Sequence, residues 1–173
     1  MKKLAIMALA CTLMASCGKS DAPVLFPQEN FQTTVDGKEV SIYTLKSGDI
    51  TMQVTNFGAR VVSLWTPDRD GKFDDIVLGY NNIDNYVNNP GERFLGAVVG
   101  PYANRIAGGT YTIDGETYQF PLNNNGQTLH GGLKGLDMVV WNVDSVSDDA
   151  IVLSYLCPDG QDGMPGNRKI VMT

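Results

Sequence analysis

Thr110-Tyr111-Thr112-Ile113-Asp114-Gly115-Glu116-Thr117-Tyr118-Gln119-Phe120 spells a strand, a two-residue turn and a second strand. β-Branched and aromatic residues flank Asp114-Gly115, and an Asp-Gly pair tolerates the positive φ that a tight hairpin turn demands. Asp36-Gly37 repeats the signal between residues 31–35 and 40–45. Working outward, Ile50, Met52 and Val54 alternate with polar residues, the period of a half-buried strand. Asn56-Phe57-Gly58 interrupts that run and residues 60–65 resume it. A turn at 67–71 precedes a strand at 75–80. Residues 81–93, rich in Asn and holding Pro90-Gly91, read as a long loop with room for one short helical turn. The apolar run 94–99 reads as a buried strand, and 138–146 with 150–157 as a strand pair. After a turn cluster at 158–166, residues 168–173 begin a further strand. No stretch of ten residues keeps a helical period without Gly or Pro. Many short strands without crossover helices predict an all-β antiparallel sandwich, in one domain without internal repeats. The final strand has no partner after it, so the sandwich is expected to be incomplete at the C-terminus.

The first residues follow another rule. Lys2 and Lys3 precede an apolar stretch at 4–13, too short to span a membrane and of the length of a signal peptide. Met14-Ala15-Ser16-Cys17 resembles a bacterial lipobox, with Met14 where Leu is commoner. That likeness implies cleavage before Cys17 and lipid on its thiol; ordinary secretory cleavage nearby is the alternative. The chain then divides into a signal peptide and lipobox at 1–17, a polar tether with two prolines at 18–29, and a domain at 30–173. Export to the periplasm or cell surface of a bacterium is expected, with the membrane reached through the lipid.

Cysteine use agrees. Cys11 lies in the signal and Cys17 takes the lipid, which leaves Cys157 alone in the mature chain and allows no disulfide within it. Cys157 shares a strand face with Ile151, Leu153 and Tyr155, so it reads as a buried structural thiol. Removing residues 1–16 takes away two lysines and no acid. Thirteen basic and 19 acidic residues become 11 and 19, a net charge of −8. Such a surface repels nucleic acid and gives no electrostatic hold on anionic lipid, while neutral polyhydroxylated ligands remain compatible.

Two glycine-bounded segments have the composition of a polar site: residues 100–109, with Asn104 and Arg105, and residues 123–132, with His130. Glycines let backbone approach a ligand closely. Arg105 carries five donors in a rigid fork, suited to adjacent sugar oxygens, and Asn104 both donates and accepts. Taken alone, Arg105 is more often a solvated surface cation and His130 a capping or core histidine. Trp65 and Trp141 sit in strand runs and read as core, whereas Tyr102 suits a sugar face or the core equally. The acids at 68, 70, 74 and 75 invite comparison with a calcium loop, but Gly71 comes two places early, and a turn is the better reading. No phosphate loop, zinc spacing or Ser-His-Asp order is present.

Five blocks in order resemble the N-terminal part of the aldose 1-epimerase (galactose mutarotase) family. They are Asn56-Phe-Gly-Ala-Arg-Val-Val-Ser-Leu64, Pro67 through Gly79, Gly100-Pro-Tyr-Ala-Asn-Arg-Ile-Ala107, Leu129-His-Gly-Gly132, and Pro158-Asp-Gly160 through Pro165-Gly-Asn167. The likeness runs from about Gln28 to Thr173. It implies a β-supersandwich and an isomerase that interconverts the α and β anomers of galactose, glucose and related aldoses, with neither metal nor nucleotide cofactor. By position it implies Asn104 and Arg105 as sugar-binding residues and His130 as a binding histidine that supports catalysis. The family's general-acid histidine, its glutamate base and a later sugar-binding aspartate have no counterpart in these residues. Pro101 stands where Arg is common. Truncation before the acid and base is therefore expected, leaving this chain inactive alone; a carbohydrate-binding lipoprotein without turnover is the alternative, and a fragment without independent function a third.

The lipobox reading has a direct check. Cys17→Ala should leave the membrane fraction and take up no labelled fatty acid. Unchanged partitioning, with no label in the parent chain, would contradict the anchor.

Overall fold

Both hairpin turns form as the sequence dictates. The computed structural model describes residues 22–88 and 91–173; the signal peptide, Cys17 and residues 18–21 of the tether lie outside the described residues. Asp114 and Gly115 take φ of 51° and 85°, and Asp36 and Gly37 take 50° and 74°, the left-handed pair of a type I′ turn. The first turn joins β8 (Thr110–Ile113) to β9 (Glu116–Gln119), and the second joins β1 (Thr33–Val35) to β2 (Lys38–Val40). Across β8 and β9, Tyr111 pairs with Tyr118 and their rings stack at 5.4 Å.

Two antiparallel sheets make the sandwich. One holds β3 (Ile42–Ser47), β4 (Ile50–Thr55), β5 (Arg60–Pro67) and β6 (Phe73–Asp75) in sequence order. The other holds β11 (Asn142–Val146), β12 (Ile151–Cys157) and β13 (Arg168–Met172). Leu45, Val54, Trp141, Ile151 and Leu153 close the core between them. A second core lies on the other side of the first sheet, where Phe31, Phe57, Val62 and Tyr86 meet. Its cover includes α1 (Ile83–Val87), capped by the Asn82 side chain, which accepts from Asn85 N–H. Cys157 is buried, and Arg168 Nη2 donates to its sulfur at 2.8 Å.

Several local expectations are corrected. Strand β4 buries the face that alternation gives to solvent: Thr51, Gln53 and Thr55 are buried, whereas Ile50 is exposed and Met52 half-buried. Gln53 explains how, because its Oε1 accepts from Phe26 N–H and Ser63 Oγ while its Nε2 donates to the Phe26 carbonyl. The end of the stretch read as a tether is thereby docked, and Phe26 packs on Phe31. The strand expected at 75–80 stops at Asp75, whose Oδ1 accepts from both Leu64 and Val77 N–H and turns the chain away. Residues 138–146 divide into a 3-10 turn at Leu136–Met138 and strand β11. Between them Asn56 Nδ2 donates to the Trp141 carbonyl.

Residues 94–99 form no strand. Their backbone bends around the guanidinium of Arg60, which is 0% exposed. Arg60 Nη1 donates to the carbonyls of Arg93 (3.0 Å) and Leu95 (2.7 Å), and Nη2 to that of Asp137 (2.9 Å). Its Nε has no partner among the described residues, and the Tyr86 ring, centred 4.7 Å from Cζ, supplies a cation–π contact instead. Burial lowers the Arg60 pKa, and the Asp137 carboxylate opposes that shift. Truncation would strand three carbonyls and leave a cavity. Arg60→Ala should therefore cost about 3–5 kcal/mol, read as a lower urea midpoint at unchanged m-value; a loss below about 1 kcal/mol would contradict this role.

Candidate functional site

The two glycine-bounded segments meet edge to edge. Strand β7 (Arg105–Ala107) pairs antiparallel with β10 (Gln127–Leu129), with Arg105 opposite Leu129. One step beyond the ladder, His130 N–H donates to the Asn104 carbonyl at 2.9 Å. In return, Asn104 N–H donates to His130 Nδ1 at 2.9 Å. Both residues are left-handed, Asn104 at φ 64° and His130 at 52°. Asn104 holds that conformation with its own side chain, whose Oδ1 accepts from Arg105 N–H at 2.8 Å. Gly131 lies so close to Gly100 that a Cβ there would run into the Gly100 carbonyl. The glycines read as room for a ligand thus serve, at this point, to bring backbone onto backbone.

This pairing defines what His130 offers. Nδ1 is an acceptor, so the neutral ring carries its proton on Nε2. Nε2 makes no hydrogen bond among the described residues and is the group left to donate outward. The edge of Phe94 braces the ring, with centroids 4.6 Å apart and planes at 60°.

Arg105 is exposed, and its Nε donates to Asn124 Oδ1 at 3.0 Å. Its two terminal nitrogens have no partner among the described residues. Arg105 borders a largely apolar hollow of about 400 Å³ walled by Tyr102, Tyr111, Phe120 and Met164. Asn104 and His130 do not line that hollow. The structure therefore joins Asn104 and His130 directly and sets Arg105 beside them through the backbone.

Beneath lies a layer that sequence reasoning misses. Asp137, 0% exposed, takes a bidentate pair from Arg93, Nε to Oδ2 at 2.6 Å and Nη2 to Oδ1 at 3.0 Å. Arg93 Nη1 reaches the Gly132 carbonyl at 3.4 Å, and its guanidinium lies 5.0 Å from the Phe94 ring centre. A buried carboxylate is tolerable only when paired in this way. The sequence holds one signal for it: Asp137 is a lone acid in the apolar run 136–141, which calls for a cation from elsewhere. Nothing comparable marks Arg93.

The remaining candidates take plain roles. Trp141 is core, with Nε1 donating to the Leu136 carbonyl, and Tyr102 is half exposed in its loop. Asp68 caps its turn by accepting from Asp70 and Lys72 N–H, and these bonds lower its pKa. No group of three His, Cys, Asp or Glu side chains placed to hold a metal occurs among the described residues.

Comparison with known proteins gives one answer by three routes. The aldose 1-epimerase family model matches residues 41–173. Rat galactose mutarotase is 36% identical over 137 residues, which is 79% of this chain and 39% of the rat protein. Aldose 1-epimerase of Escherichia coli K12 is 33% identical, covering 76% of this chain and 38% of that one. Among solved structures, an aldose epimerase homologue from C. elegans superposes with a TM-score of 0.72 at 32% identity, over 76% of this chain and 40% of its own. Galactose 1-epimerase from Lactobacillus acidophilus gives 0.68 at 30% identity, over 82% and 41%. The chain spans about two fifths of the length of the relatives it matches. It belongs to the aldose 1-epimerase family.

Proposed function

We propose that Asn104, Arg105 and His130 bind an aldose, and that they are the sugar-binding part of an enzyme that interconverts the α and β anomers of hexoses such as galactose or glucose. The observation that carries this is the hydrogen bond from Asn104 N–H to His130 Nδ1. It turns the imidazole into an outward donor beside a guanidinium whose two terminal nitrogens have no partner among the described residues. Hydroxyl-rich neutral ligands match such a set of donors.

The same bond limits the chemistry. Mutarotation removes the proton from O1 while another proton reaches O5; the C1–C2 bond rotates, and the ring closes on the other face of the carbonyl. Two opposed proton-transfer groups are needed within hydrogen-bond reach of O1 and O5. His130 in this tautomer donates through Nε2 and cannot accept a proton there, so it is a binding and polarising group and not the base. In this reading the acid and base are not supplied by these residues, and the chain alone binds sugar without turnover. The donor-only arrangement equally fits a carbohydrate-binding lipoprotein. We place the protein outside the cytoplasm on a lipidated Cys17, a reading supported by Lys2-Lys3, the apolar stretch 4–13 and Met14-Ala15-Ser16-Cys17.

Polarimetry on freshly dissolved α-galactose or α-glucose tests this. The 173-residue chain should leave the spontaneous rate unchanged, because the acid–base contribution of about 10²–10⁴-fold is missing. Galactose should still shift the resonances of Arg105 and His130, and Arg105→Ala or His130→Ala should weaken binding about tenfold. Strong acceleration by the chain, abolished by either substitution, would overturn the division between binding and turnover.

A further inference from the structure

We propose that Asn123 is the positioning residue of this site, its side-chain amide holding the turn at 129–132 so that His130 keeps one place and one tautomer. The effect on ligand rests on the sugar-binding reading above; the effect on His130 does not. Asn123 Oδ1 accepts from Leu129 N–H at 2.6 Å. Its Nδ2 donates to the Leu129 carbonyl at 3.0 Å and to the Gly132 carbonyl at 2.8 Å. Both amide hydrogens and the oxygen are spent on residues that flank His130. The N–H of Leu129 goes to Asn123 rather than to β7, and its C=O is shared between Asn123 and Gly132 N–H, so one side chain does much of what a further strand would do at the open edge of β10.

The need for such a brace is local. His130, Gly131 and Gly132 take φ of 52°, 91° and 101° in succession. Left-handed backbone is unfavourable for His, and two released glycines sample many conformations. Within the turn Gly132 N–H donates to the Leu129 carbonyl at 3.2 Å, and from outside it Arg93 Nη1 adds a longer bond, at 3.4 Å, to the Gly132 carbonyl. Asn123 is itself fixed by its N–H, which donates to the Gln127 carbonyl at 3.1 Å. Release of the turn would let the imidazole leave Asn104 N–H, and with that bond goes the constraint on its tautomer.

The chain has one histidine, so its imidazole ¹⁵N resonances report on this turn alone. Two variants separate the contributions. Asn123→Ala removes all three bonds, whereas Asn123→Asp keeps the acceptor and sets a carboxylate oxygen against two carbonyls. In the parent chain Nδ1 should be unprotonated and the Asn104 amide slow to exchange. In both variants the tautomers should average, and the Asn104 amide should exchange about tenfold faster. Galactose affinity should fall about tenfold, with amide protection in β3–β5 retained. Unchanged His130 resonances and Asn104 exchange in both variants would overturn the proposal, even with galactose bound normally. Unfolding of both would overturn it too, by making Asn123 a determinant of the fold rather than of His130. If the parent binds no galactose but the variants free His130, Asn123 stands as its positioning residue and the sugar reading falls.

Discussion

Two hydrogen bonds, one in each direction, join the backbone of Asn104 to His130 across 26 residues of chain. They continue the ladder between β7 and β10 for one more step, but the second uses an imidazole nitrogen in place of a carbonyl. That replacement converts a strand end into a site. It orients the ring, selects the tautomer and leaves Nε2–H as the outward group. It also requires both residues to be left-handed, a conformation that Asn104 sustains through its own Oδ1. Arg105 inherits its place as the next residue in β7.

The buried charges make sense as the floor of this arrangement. Arg60 and the Arg93–Asp137 pair run under the loop that carries Phe94 and reach the Gly132 carbonyl beside the histidine. Ion pairs this deep contribute little net stability compared with a well-packed apolar substitute. What they supply here is placement. Three carbonyls in two separate segments converge on one planar guanidinium, which fixes the relative position of residues 93–95 and 137.

The fold was legible wherever a local rule acted alone. Asp114-Gly115 and Asp36-Gly37 specify their hairpins because few other pairs accept two successive positive φ values. The buried Cys157 followed from strand alternation, and the core position of Trp141 from the apolar run that holds it. Legibility failed where a distant side chain took over the backbone: Arg60 bends residues 94–99 out of a strand, and Asp75 ends β6 early. Gln53 hides a polar strand face beneath residues that composition alone marks as a tether. The candidate site divides the same way. Asn104, Arg105 and His130 stand out through residue type and flanking glycines. Arg93 and Asn123 do not, because their importance lies in partners that only the folded chain brings within reach.

The ¹⁵N spectrum of the single imidazole in the parent chain, recorded with and without galactose, tests the central claim most directly. The account predicts a neutral ring protonated at Nε2, with Nδ1 in the range of an accepting nitrogen. Galactose should move the Nε2 resonance and leave Nδ1 in place. A ring protonated at Nδ1, or a spectrum that saturating galactose leaves unchanged, would contradict it.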